Sequence, residues 1–248
     1  VIPAIIWIII FHYIPMYGIL MAFQEFRLGD FPGMSEWVGF KHFKLFFSDP
    51  KTTIVMRNTI VISLLKLLIN FPMPIIFALL LNELQNARFK KSVQTISYLP
   101  HFISWVIAAT MLFDFFSVDN GAVNNFLLKI GAIDRPIHFF GRGEYFWRML
   151  VATDLWKELG WSSIIYLAAI TAINPELYEA AEIDGAGRFQ KMWYITLAGI
   201  LPTIILLLIF SVGNLMNANF DQIMMLTNQM TNATLREYAD VIDTYVYR

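Results

Sequence analysis

The sequence predicts an all-α protein that crosses a membrane several times, and three observations carry that prediction. Of its 248 residues, 57% are hydrophobic and only 15% charged, whereas a soluble domain needs roughly a quarter of its residues charged to cover its surface. The apolar residues gather in runs near the roughly 20 residues that a helix needs to span a bilayer. No basic segment precedes the first run, as a cleaved leader would require, so that run reads as a span itself. The net charge of −1 offers no footprint for a nucleic acid. With no cysteine in the chain, disulfides, thiolate metal sites and a cysteine nucleophile are excluded.

Five spans are expected, at 2–23, 59–81, 93–116, 154–173 and 192–216. A long loop carrying Arg27, Asp30, Pro32, Gly33, Lys41 and Asp49 joins the first two. A short basic connection with Arg88, Lys90 and Lys91 follows the second, and a long mixed loop containing Arg135, Arg142 and Arg148 follows the third. The charge bias between the two sides barely orients the spans. Pro72, Pro74, Pro100 and Pro202 are expected to kink their helices. Trp105, Trp147, Trp156, Trp161 and Trp193 fall near span ends, where aromatic belts form. The chain starts inside an apolar run and ends in polar sequence, so both termini read as cut and 1–248 as one transmembrane domain.

The most informative segment is 174–191, between the fourth and fifth spans. Asn174 suits an N-cap and Pro175 a first helical turn, where its missing N–H costs nothing. A short helix over 175–184 follows, with Glu176, Glu179 and Glu182 on one side. Ala180 and Ala181 keep the adjoining surface low, so another protein can approach closely. Gly185 and Gly187 let the backbone reverse, and Arg188 begins the segment that re-enters the membrane.

The ordered set Tyr178-Glu179-Ala180-Ala181, Ile183-Asp184-Gly185-Ala186, Ile195 and Leu197 resembles the docking loop of ABC importer permeases that work with an external binding protein. Phe11-His12-Tyr13-Ile14-Pro15-Met16-Tyr17-Gly18, Asn58-Thr59, Tyr98-Leu99-Pro100, Trp156-Lys157-Glu158-Leu159-Gly160-Trp161 and Asn219-Phe220-Asp221-Gln222 extend the likeness over nearly the whole chain. They are similar to the carbohydrate branch that imports complex oligosaccharides. Two departures stand out: Ala198 occupies a position where the family has proline, and the family's sixth span is missing.

The resemblance implies the type I, maltose-type fold in a bacterial inner membrane. It implies a second permease subunit, two ATPase subunits that hydrolyse the ATP, and an external sugar-binding protein as partners. It also implies that Tyr178, Glu179, Ala180, Ala181, Asp184, Gly185 and Arg188 meet an ATPase. The chain itself would be a transport subunit with neither enzyme activity nor cofactor, carrying an oligosaccharide of unspecified charge.

A charge in mid-bilayer costs about 2.5–3.5 kcal/mol, so Lys66 needs a reason to be there. Ser63, Lys66 and Asn70 share one helical face with Thr59. That face reads equally as a wall of the translocation path or as a packing face bonded to neighbouring helices. Ser211, Asn214, Asn217 and Asp221 form a second expected stripe, the better candidate for contacting a sugar. Asp154, Lys157 and Glu158 read as a cluster that neutralises itself. An ion-coupled carrier or channel, using Lys66 and Asp154 without an ATPase, is the alternative function.

Enzyme chemistry finds no foothold. GxxxxGK, HExxH and GxSxG are all absent, and His12, His42, His101 and His138 are scattered. Asn232-Ala233-Thr234 matches a glycosylation sequon, a weak signal alone.

Overall fold

The computed structural model describes residues 2–27, 29, 33, 35–228, 230–231 and 233–247. Asp30, Pro32 and the sequon's Asn232 therefore lie outside the described residues. Two compact units emerge, 1–54 and 55–248. No strand occurs among the described residues; Gln24 and Trp37 form an isolated bridge.

The first unit holds α1 (Ile2–Phe23) and α2 (Lys41–Ser48). Phe23 ends α1 and stacks on Trp37 at 5.6 Å, with Phe40 and Phe43 at 5.6 and 5.3 Å. The buried Gln24 accepts from Gly33 N at 2.9 Å through Oε1, and its carbonyl lies 2.9 Å from His42 Nε2. The loop between α1 and α2 is thus wound around one aromatic side chain and one amide.

The remaining helices are α3 (Pro50–Asn82), α4 (Ala87–Phe102), α5 (Trp105–Phe115), α6 (Ala122–Lys129), α7 (Gly143–Thr171), α8 (Glu176–Ile183), α9 (Arg188–Gly213), α10 (Phe220–Leu226), α11 (Ala233–Ala239) and α12 (Ile242–Tyr247). By length and apolarity α1, α3 and α9 suffice to cross a membrane, and α4 with α5 would make a fourth crossing if the two count as one. The expected span 93–116 is not one straight helix, because α4 and α5 meet at 108°. Pro100 lacks an N–H, the chain tightens over Leu99–Phe102, and Ser104 starts a new helix by accepting from Ile107 N. Helix α7 has 29 residues, about 43 Å at 1.5 Å per residue. It is long enough to span, but Asp154, Lys157 and Glu158 make it too charged to do so on apolarity alone.

Two packed clusters set the end-to-end order of the second unit. Ile75, Ala78 and Leu79 of α3 pack against Tyr166 and Ile170 of α7 and Ile200 of α9. The turn after α3 and the loop after α7 therefore share one end of the bundle. At the other end Phe146, Met149 and Leu150 of α7 pack with Ile223 and Leu226 of α10, and with Leu235, Ala239 and Val241. Asn58 and Thr59 lace that end shut. Asn58 Nδ2 donates to the carbonyls of Glu237 and Asp240 at 2.9 and 3.0 Å, and Thr59 Oγ1 accepts from Ile242 N at 3.0 Å.

Helix α4 crosses α7 at Gly160, where a Cβ would stand 2.2 Å from the Ser97 carbonyl oxygen. The obstacle is backbone, so neither helix can yield cheaply. Gly160→Ala should cost about 1–3 kcal/mol and lower the melting temperature of the purified protein. A Cβ at Gly213 meets nothing within 4 Å, so Gly213→Ala serves as the control and should melt as wild type. Equal melting of the two variants would contradict the packed crossing.

Candidate functional site

The segment 174–191 folds as a compact hairpin. Asn174 Oδ1 accepts from Glu176 N at 3.1 Å, and α8 runs Glu176–Ile183, inside the expected 175–184. Gly185 N donates to the Glu182 carbonyl at 3.0 Å and Ala186 N to the Ala181 carbonyl at 2.8 Å. With Gly185 at φ 79°, these bonds make a Schellman turn, which needs a left-handed residue just past the helix end. Gln190 Oε1 then accepts from Gly187 N at 2.7 Å and starts α9 at Arg188.

Two contacts close the hairpin. Lys191 Nζ bonds the Glu182 carboxylate. That hydrogen bond, and then the lysine's charge, hold the Glu182 carboxyl below the ordinary carboxylate range. Tyr178 Oη lies 2.9 Å from Thr196 Oγ1 and ties α8 to α9. Glu179, Ala180, Asp184, Gly185 and Arg188 are exposed and Ala181 is half-buried. Around them Ile183 is 87% and Phe189 82% exposed, an apolar rim of the kind that partners cover.

The second constellation lies between the two packed ends. Lys66 Nζ donates to Asp154 Oδ1 at 3.3 Å, to the Ala218 carbonyl at 3.2 Å and to Gln222 Oε1 at 2.6 Å. Asn70 Nδ2 and Asn219 Nδ2 donate to Asp154 at 2.8 and 3.2 Å. Gln222 Nε2 reaches the Leu150 carbonyl at 2.7 Å and Thr153 Oγ1 at 2.9 Å. This network binds α3, α7 and α10 together.

A cavity of about 620 Å³ opens beside it. Ser63, Lys66 and Asn70 of α3 line it, with Trp161 and Tyr166 of α7, Phe210 and Ser211 of α9, and Asn214 and Asn217 just beyond. Ser63 Oγ and Asn70 Oδ1 are buried without a hydrogen-bond partner among the described residues.

Several expectations need correction. The stripe Ser211, Asn214, Asn217 and Asp221 does not share one helix face, because α9 ends at Gly213 and Asn219 turns the chain with φ 68° before α10. Ser211, Asn214 and Asn217 still reach the cavity, whereas Asp221 is exposed and does not line it. Asp154 does not join Lys157 and Glu158; it pairs with Lys66. Lys157 instead bonds the His101 carbonyl at 2.8 Å and Glu158 Oε1 at 3.2 Å, and Glu158 Oε2 lies 2.7 Å from His101 Nδ1. Trp161 sits well inside α7, stacks on His101 at 4.3 Å and lines the cavity. Gln222 and Asn219 carry half of the Lys66–Asp154 network, and no helical spacing links them to α3.

Comparison with known proteins places the whole chain in a family. Residues 70–237 match the family described as "binding-protein-dependent transport system inner membrane component". The polygalacturonan/rhamnogalacturonan transport system permease protein YteP of Bacillus subtilis (strain 168) is 45% identical, over 100% of this chain and 75% of its own length. Protein LplB of the same organism is 44% identical, over 99% of this chain and 76% of its own. The crystal structure of a bacterial ABC transporter involved in the import of the acidic polysaccharide alginate contains a chain 43% identical. It superposes with a TM-score of 0.88, covering 99% of this chain and 80% of that one. A second structure, of a bacterial alginate ABC transporter in complex with an alginate pentasaccharide-bound periplasmic protein, gives the same score at 44% identity, covering 100% of this chain and 80% of that one.

Removing one member of the Lys66–Asp154 pair strands the other in a poorly solvated site. Lys66→Met or Asp154→Leu alone should destabilise by about 3–5 kcal/mol. The double variant should lose less than the sum of the two, and denaturant melts of all three measure the difference; strict additivity would show the pair to be uncoupled. At the hairpin the depressed Glu182 pKa makes its clasp stabilising above the ordinary carboxylate range and lost as pH falls through the lowered value. Lys191→Met should return the Glu182 titration, followed by carboxyl NMR, toward that ordinary range.

Proposed function

The chain belongs to the family of binding-protein-dependent transport system inner membrane components, and we propose that it is one permease half of an ATP-driven importer of oligosaccharides. A second, similar permease completes the path, two ATPase subunits bind at the hairpin end, and an external binding protein delivers the sugar. The observation that carries this reading is the exposed hairpin 174–187 joined by Tyr178 to α9, the helix that also lines the cavity. The likeness of this whole chain to the greater part of saccharide permeases supports it. The domain is a single permease of five spans in which 174–191 is the cytoplasmic docking loop.

The residues divide the work in a definite way. Glu179 and Asp184 offer acceptors to an ATPase, Ala180 and Ala181 allow close approach, and Arg188 adds a donor at the start of α9. Gly185 holds the turn. Closure of the ATPases on ATP pulls α8, and the Tyr178–Thr196 bond passes the displacement to α9 and its cavity-lining residues Phe210 and Ser211. Lys66, Asn70, Asn214 and Asn217 belong to the sugar path, where side-chain amides and the neighbouring Ser211 hydroxyl suit a cargo rich in hydroxyls. Asp221 is left out of that path. A carrier without an ATPase would need Lys66 and Asp154 to release each other and titrate, and their bond to one another with four further contacts, to Asn70, Ala218, Asn219 and Gln222, opposes it.

Glu179→Lys should abolish co-purification of the ATPase and sugar uptake, as should Gly185→Val, which forces a branched residue into a left-handed conformation at about 1–2 kcal/mol. Tyr178→Phe should leave ATPase association intact and slow uptake at least several-fold. Unchanged association and uptake in all three variants would defeat the docking assignment. Asn214→Ala removes hydrogen bonds worth about 0.5–1.5 kcal/mol each, so uptake should fall several-fold while assembly persists.

A further inference from the structure

Helix α4 presents an exposed stripe whose chemistry changes along its length. Arg88, Lys91, Ser92, Thr95, Ile96 and Leu99 are all exposed and recur at the three- and four-residue steps that place side chains on one helical face. The first two are cationic, the next two carry hydroxyls, and Ile96 and Leu99 are 68% and 57% exposed, with Phe102 beyond them at 71%. From Arg88 to Leu99 the rise is about 16 Å, the distance from headgroup phosphate into acyl chain. A cavity of about 470 Å³ is lined by Arg88, Lys91, Ser92, Thr95 and Ile96, with no acidic residue among the described lining.

Neither Arg88 nor Lys91 makes an ion pair with any described residue. Their location makes this costly. Asn86 Oδ1 already caps the helix by accepting from Arg88 N and Phe89 N at 3.0 and 3.1 Å. The cations therefore stand at the positive end of the helix dipole, where an anion is favoured. A bound anion would offset both the dipole and the two like charges.

We infer that this face of α4 is a binding groove for one anionic phospholipid, with the phosphate held by Arg88 and Lys91, the ester region against Ser92 and Thr95, and one acyl chain along Ile96, Leu99 and Phe102. A zwitterionic lipid fits the apolar half equally well and presents the same phosphate, but its own ammonium group offsets that charge and is repelled by the two cations. The turn before α4 shares an end of the bundle with the docking hairpin, so the lipid belongs to the leaflet that faces the ATPases. That leaflet assignment rests on the docking reading; the lipid contact does not.

The test uses the full chain, purified in mixed micelles with the subunits that accompany it and titrated with short-chain phosphatidylglycerol, short-chain phosphatidylcholine and free glycerol 3-phosphate. Native mass spectrometry counts the adducts. Phosphatidylglycerol should bind at least about tenfold more tightly than phosphatidylcholine, and glycerol 3-phosphate alone should bind much more weakly, because it lacks the acyl chain. Arg88→Ala with Lys91→Ala should erase the preference, Ile96→Ser should weaken both lipids alike, and Lys90→Ala, off the groove, should change nothing. Equal binding of the two lipids, tight binding of glycerol 3-phosphate, or a preference that survives the double substitution would overturn the proposal. A photo-crosslinker at Thr95 gives an independent reading: capture of phospholipid supports the groove, and capture of a protein subunit refutes it.

Discussion

The pairing of Lys66 with Asp154 is the constraint around which the second unit is arranged. An ammonium buried within a packed helix bundle is costly unless its donors and charge are met. They are met by atoms from three separate segments: Asp154 of α7, the Ala218 carbonyl in the link after α9, and Gln222 of α10. Gln222 can accept from Lys66 because its own amide is anchored to Leu150 and Thr153. Asn219 can reach Asp154 because its backbone takes φ 68°, which also lets its Oδ1 cap α10 by accepting from Gln222 N at 3.3 Å. Each group is held by another that the pair itself requires, so the network is expected to break as a unit.

The cavity and the hairpin are mechanically continuous with this network. Helix α7 supplies Asp154 to the pair, Trp161 and Tyr166 to the cavity wall, and Tyr166 with Ile170 to the cluster beneath. Helix α9 receives Tyr178 at Thr196 and presents Phe210 and Ser211 to the same cavity. Under the proposed docking, a displacement applied to the hairpin would move one wall against another that is pinned by a buried ion pair. Packed interfaces of this kind switch between discrete arrangements rather than deform continuously. Gly160 tightens the frame further by letting the Ser97 backbone sit directly on α7.

Much of this was legible in the sequence, for identifiable reasons. The all-helical class follows from apolar run length, and the hairpin from Asn174, Pro175 and Gly185, whose backbone preferences act locally. Ser63, Lys66 and Asn70 were legible as one face because helical periodicity fixes it. The partner of Lys66 was not. The i, i+3, i+4 pattern of Asp154, Lys157 and Glu158 suggested a self-contained cluster, but α7 turns Asp154 toward α3 and Lys157 and Glu158 toward His101. The stripe ending in Asp221 failed because the end of α9 at Gly213 breaks the helical phase that the spacing assumed. The 108° break between α4 and α5 was signalled by Pro100, yet its size depends on Ser104 starting a separate helix.

The charge of the cavity wall is closed on itself, and this bears on what it can hold. Lys66 is the one cation among the described lining residues, and its three donors are all engaged, one of them by a carboxylate. The other polar lining groups are neutral: the hydroxyls of Ser63, Ser162 and Ser211 and the amides of Asn70, Asn214 and Asn217, with the indole of Trp161 beside them. Such groups suit sugar hydroxyls and ring faces. They give a carboxylate no counter-charge, and leaving an anion unpaired in a confined site costs several kcal/mol. An acidic saccharide against this wall would therefore take its charge compensation from another subunit or from accompanying cations. On the proposed reading of the cavity as the sugar path, this chain contributes to the uncharged part of the cargo, and its affinity for a neutral oligosaccharide should respond little to ionic strength.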